Sequence, residues 1–110
     1  MQETYLGEFQ EIVMLAILVL DDNAYGVRIQ KELKQRLNRE CSRGALHTAL
    51  TRLQEKGLIS SEMGGASAIR GGRRKRYYTV TNKGKVTLKA AKEGRDLMWK
   101  AIPNFSLKIV

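Results

Sequence analysis

The apolar period of this chain changes at Gly57, and that change restricts the fold more than any other feature. Up to Gly57 hydrophobic side chains recur at helical spacing. Beyond it come two short β-type runs separated by glycines, after which helical spacing returns. Residues 8–20 are apolar over too long a stretch for a typical strand and are led in by acids, so they read as a largely buried first helix. Asp21-Asp22-Asn23 is a turn cluster. Tyr25 to Leu37 then places Tyr25, Ile29, Leu33 and Leu37 four apart, the pattern of a second, amphipathic helix. Ser42 is a good N-cap for a third helix ending at Gly57, with Leu46, Ala49, Leu50 and Leu53 at i, i+3, i+4 and i+7 facing the core. Its opposite face carries Gly44, Thr48, Thr51 and Glu55, flanked by His47 and Arg52.

The segments Leu58–Met63 and Arg76–Val80 read as a hairpin, with Gly64, Gly65, Gly71 and Gly72 making a long, flexible tip. Gly64-Gly65 and Gly71-Gly72 fit neither a phosphate-loop nor a dinucleotide fingerprint, since no helix follows to offer its N-terminus. Thr81 caps a fourth helix running to about Lys100, along which Val86, Ala90, Gly94, Leu97 and Ala101 recur at spacings of three and four. The expected fold is therefore mainly α with a small β-hairpin: a winged helix-turn-helix over residues 1–80, a C-terminal dimerisation helix over 81–102 and a tail over 103–110. A length of 110 residues suits one such module.

Charge is unevenly placed. Residues 1–69 hold 8 Lys+Arg against 9 Asp+Glu, whereas residues 70–110 hold 12 Lys+Arg against 2 acids. A one-sided positive field attracts a polyanion, of which nucleic acid is the commonest in a cytosol. In the winged arrangement the third helix enters the major groove, and Arg43, Gly44, His47, Thr48, Thr51 and Arg52 are its candidate contacts. Gly44 lets the helix start approach the backbone closely, and the wing residues Arg73, Arg74, Lys75 and Arg76 grip phosphates.

Other chemistry finds little support. The single Cys41 cannot close an intramolecular disulfide, the single His47 cannot supply a multi-histidine metal site, and no nucleophile, base or metal set converges, so neither a cofactor nor an enzyme is expected. The longest apolar run, Ile12 to Leu20, is far short of the roughly 20 residues of a membrane span, and Met1 opens no signal-peptide pattern, so the expected compartment is the cytoplasm, with no membrane partner.

The fourth helix exposes too wide an apolar surface to leave in water. Val86, Ala90, Gly94, Leu97, Met98 and Ala101 are its candidate dimer interface, and the partial alternative is that the helix folds back on helix one of its own chain. Trp99 has two readings, an interfacial packing residue or an aromatic wall for a small, planar, hydrophobic effector. A rival from another class is a basic RNA-binding or ribosome-associated module, kept open by Tyr77-Tyr78.

Three ordered blocks carry a family likeness: Tyr25-Gly26, the run Gly44 to Ile59 with Ala45-Leu46-His47-Thr48-Ala49-Leu50, and Gly72-Arg73-Arg74-Lys75-Arg76-Tyr77-Tyr78-Thr79-Val80-Thr81-Asn82-Lys83-Gly84. Together, over roughly residues 8–100, the chain resembles the PadR family of winged-helix transcriptional regulators, in its short C-terminal subgroup. That resemblance implies a homodimeric repressor on a pseudo-palindromic double-stranded DNA operator, dimerising mainly through helix four. Many members carry Tyr-Pro where this chain has His47-Thr48, so His47 would stand in as the polar aromatic donor.

Overall fold

The computed structural model describes residues 6–64 and 74–103. Helix α1 (Glu8–Leu20) leads through a 3-10 turn (Asp21–Asn23) into α2 (Gly26–Leu37) and α3 (Arg43–Glu55); strands β1 (Ile59–Met63) and β2 (Arg76–Val80) and helix α4 (Asn82–Ala101) follow. Ser42 starts α3 as expected from its side chain, its Oγ accepting from the Ala45 amide at 3.0 Å. The chain leaves α3 through Gly57 at φ +76, a left-handed conformation that glycine adopts without a Cβ clash. The strands pair antiparallel, with Ile59 opposite Val80 and Met63 opposite Arg76.

Alternation along β2 leaves Thr79 exposed and turns Arg76, Tyr78 and Val80 to one face, on which Arg76 is exposed at the wing end while Tyr78 and Val80 enter the core. There they meet Val13, Met14 and Ile17 of α1, Ile29 and Leu33 of α2, and Leu46, Ala49, Leu50 and Leu53 of α3, with Leu58 and Ile59 sealing the end. All four α3 stripe residues are buried as their spacing requires.

Two helices are less buried than their apolar content implies. Leu15, Leu18 and Val19 of α1 lie exposed, because helices α2 and α3 and the sheet cover only the faces carrying Val13, Met14, Ala16, Ile17 and Leu20. In α2 only Ile29 and Leu33 of the expected stripe are buried. Tyr25 takes the N-cap position, and Leu37 is exposed at the last turn, where Asn38 turns left-handed at φ 54. Arg39 ties the following loop to α1 by two hydrogen bonds to the Glu8 carboxylate, at 3.1 and 3.0 Å, and by stacking 5.3 Å over Phe9.

Helix α4 is joined to the body mainly at its start. Thr81 Oγ1 accepts from the Gly84 amide at 3.0 Å and donates to the Gly57 carbonyl at 2.7 Å. Lys83 Nζ donates to the Lys56 carbonyl at 2.9 Å. Gly84 and Leu88 are the only residues of α4 that are buried. Farther along, Arg95 forms a bidentate pair with Glu11, the single buried charged side chain among the described residues. The fold-back of helix four onto helix one is thus real but limited to one side.

Candidate nucleic-acid interface

The outer face of α3 is built by exclusion. Once Leu46, Ala49, Leu50 and Leu53 are committed to the core, Arg43, Gly44, His47, Thr48, Thr51 and Arg52 must face outward, and all six are exposed. A Cβ placed on Gly44 would meet only the Ser42 Oγ, at 4.0 Å, so the helix start is open to close approach. Gln30 Nε2 donates to the Cys41 carbonyl at 2.7 Å and holds the loop between α2 and α3.

The root of the wing is braced against both neighbouring helices. Arg76 Nη1 donates to Ser61 Oγ across the hairpin at 2.9 Å, and that hydroxyl donates to Gln54 Oε1 of α3 at 3.2 Å. On the α2 side Tyr25 bridges to Tyr77 with rings edge-on at 5.4 Å, and the Tyr78 amide donates to the Ala24 carbonyl at 2.9 Å. The Lys75 ammonium sits 4.2 Å over the Tyr25 ring. Burial pushes the Tyr78 phenol above its ordinary range, against the opposing pull of the Arg76 charge.

These contacts bring part of the expected site together. A groove of about 540 Å³ runs between the N-terminal half of α3, the start of α2 and the wing root, lined by Arg43, His47, Arg74, Lys75 and Arg76 over a floor of Leu46, Leu50 and Tyr78. No acid lines it. Thr48 and Arg52 face the other flank instead, in a groove of about 730 Å³ shared with Phe9, Gln10 and Glu55. Thr51 lines neither groove and stands on the outward face between them. Arg73 and the wing-tip glycines Gly65, Gly71 and Gly72 lie outside the described residues, as does the tail beyond Pro103.

Sequence reasoning missed Tyr25, Gln54 and Ser61 as the braces of the wing. Tyr25 reads as one more stripe residue, and nothing local in Gln54 or Ser61 announces a partner seven residues away across a turn. Among the described residues no group of His, Cys, Asp and Glu is arranged to hold a metal ion, and no helix is long and apolar enough to cross a membrane. Burial raises the Cys41 thiol above its usual range despite the nearby Arg39 charge.

A three-helix body with a polar outer face on its third helix, beside a two-stranded wing with a cationic root, is a winged helix-turn-helix DNA-binding domain. The model of the PadR-like family of transcriptional regulators matches residues 14–90, and the chain belongs to that family. It is 32% identical to a PadR family transcription regulator from hypervirulent Clostridium difficile R20291, with a TM-score of 0.69 over 84% of this chain and 92% of that one. It is 26% identical to a transcriptional regulator from Clostridium thermocellum, with a TM-score of 0.68 over 89% of this chain and 90% of the other. Among curated proteins none matches.

Proposed function

We propose that the protein is a cytoplasmic, homodimeric repressor that binds a pseudo-palindromic double-stranded DNA operator. The observation carrying this reading is the acid-free groove in which Arg43 and His47 of α3 converge with Arg74, Lys75 and Arg76 of the wing. Arg43, Gly44, His47, Thr48, Thr51 and Arg52 are the residues set against the major groove. Arg74 and Lys75, with Arg73, hold phosphates, while Arg76 divides its donors between DNA and Ser61.

The dimer half of the proposal rests on α4. Val86, Leu97 and Met98 are 69, 69 and 71% exposed, and Ala90, Gly94 and Ala101 are exposed beside them. At about 100° per residue Val86, Ala90, Leu97 and Ala101 of this stripe point away from the side on which Gly84, Leu88 and Arg95 meet the body, with Gly94 and Met98 on the flank between. An apolar surface of that breadth is covered when a second copy packs on it, and the small residues Ala90 and Gly94 permit close approach. The exposed Leu15, Leu18 and Val19 of α1 enlarge the surface available for covering. Occupation of the operator by such a dimer blocks transcription.

Trp99, 61% exposed, lies on the opposite side of α4 from the stripe. A planar apolar effector stacking on it would therefore enter between α4 and the body rather than along the seam of two α4 helices. Titrating planar cationic dyes against Trp99 fluorescence checks this: absence of quenching together with undiminished operator binding removes the effector.

The RNA-binding alternative loses its main support. Tyr78 is buried and Tyr77 is half-buried with its ring at an angle to that of Tyr25, so the two do not form a surface pair of stacking faces. Selection of bound duplexes from a random DNA pool at ~150 mM salt tests the function directly, because weak non-specific contacts are screened there. An inverted repeat with half-sites about one helical turn apart is the expected result. Enrichment of no motif would return the protein to the RNA or non-specific class.

A further inference from the structure

In a dimer built on α4, the angle between α4 and the winged body sets how far apart the two α3 helices lie. Leu88 is buried one turn beyond Gly84, and the contacts at the two ends of this side of α4 define that angle. The first is a pivot at Gly84, where a Cβ would stand 2.1 Å from the Leu58 carbonyl oxygen, 2.8 Å from Val80 Cγ1 and 3.0 Å from Met14 Cε, so the helix rests directly on the body. The second is Arg95, about 16 Å farther along the axis, which meets Glu11 of α1 through both terminal guanidinium nitrogens, Nη1 and Nη2. Glu11 is buried and Arg95 half-exposed, and the adjacent acid Asp96 is held by Lys92 at 2.7 Å, which leaves the Arg95 fork directed at Glu11.

We propose that the Glu11–Arg95 pair is a strut that fixes the α4 angle and thereby selects one spacing between operator half-sites. Glu11 and Arg95 are positioning residues in this scheme, since neither touches DNA. The proposal rests on the DNA-binding dimer of the preceding subsection. The leverage is geometric. A tilt of about 10° at Gly84 would carry Arg95 about 3 Å, enough to break a two-bond fork whose Nη1–Oε1 distance is 2.6 Å. The same tilt, applied to both bodies about a two-fold axis, changes the separation of the two α3 helices, and one base pair of spacing corresponds to about 3.4 Å. The bidentate geometry therefore admits one angle where a single-point contact would admit a range.

The test compares wild type with the double variant Glu11→Gln/Arg95→Met, which removes the pair without leaving a buried carboxylate unpaired. Arg95→Lys retains the charge but gives up the fork. The first readout needs no DNA. Trp99 is the only tryptophan and serves as energy-transfer donor to a dye on Glu55→Cys, in a Cys41→Ala background diluted with excess Trp99→Phe chain. Wild type should give a narrow distance distribution, the double variant a broad one, and Arg95→Lys one in between. The second readout is affinity for duplexes carrying the selected half-sites at spacers lengthened or shortened by single base pairs. Wild type should prefer one spacer, and the double variant should lose that preference while keeping its affinity for a single half-site. An unchanged distance distribution, or an unchanged spacer preference, overturns the strut. If wild type selects no paired half-sites at all, the DNA-binding reading falls by that result, while the energy-transfer width alone judges whether the pair holds the angle.

Discussion

Gly84 shows how one residue decides the placement of a whole element. With a Leu58 carbonyl oxygen where its Cβ would be, Gly84→Ala must either push α4 off the body or distort its first turn. A loss of about 1–3 kcal/mol in folding stability is expected, read by chemical denaturation. His47 is a different case, exposed on α3 and lining the cationic groove. His47→Ala should leave the unfolding midpoint unchanged and relax operator discrimination at one base position by about 1 kcal/mol, measured by titration against a series of single-base operator variants. Residue roles of this kind divide cleanly by legibility. That His47 faces outward follows from the Leu46/Leu50/Leu53 stripe, whereas the need for glycine at position 84 depends on Leu58 and Met14, both distant in the chain, as well as on Val80 four residues back.

At the scale of elements, the caps of α3 and α4 and the burial of the α3 stripe followed from local chemistry and spacing, whereas the extent of burial on α1 and α2 did not. Ser42 and Thr81 start α3 and α4 through the side-chain bonds their residue types predict. Thr81 does more, because its hydroxyl also donates to the Gly57 carbonyl and so ties the end of the α3 turn to the start of α4. Thr81→Ala should therefore cost about 1–2 kcal/mol, the range of a cap together with a further hydrogen bond, and should be visible in the thermal unfolding midpoint. On the proposed reading the wing separates into phosphate holders and a brace. Arg74→Ala should weaken DNA binding equally across sequences and flatten the salt dependence by about one charge per site. Arg76→Ala also breaks the Arg76–Ser61–Gln54 chain, so beyond the lost charge it should loosen the wing, detected as faster amide exchange in β1 and β2. A run of four basic residues in the sequence gives no means of telling these roles apart; the difference lies in the register that pairs Arg76 with Met63 and so brings its guanidinium diagonally within reach of Ser61, whose own partner is Tyr78.

For the whole molecule, the unpartnered apolar stripe of α4 and the exposed Leu15, Leu18 and Val19 of α1 predict that oligomeric state and DNA affinity fall together. Leu97→Asp should shift the protein toward monomer in sedimentation velocity and lower affinity for a paired operator by about 100-fold or more, since binding the second half-site is then no longer intramolecular. Affinity for an isolated half-site should hardly change. By itself the sequence determined the order of elements, the α3 face turned outward and the separation of a near-neutral body from a basic wing and α4, because periodicity, capping and charge are carried by residues close together in the chain. Only the tertiary structure decided which apolar side chains remain uncovered on α1 and α2, that Tyr25 braces the wing, and that Arg95 reaches a buried Glu11 across 84 positions. Each of those depends on how elements pack against one another, and the free energy of such contacts is set by distances that no local pattern encodes.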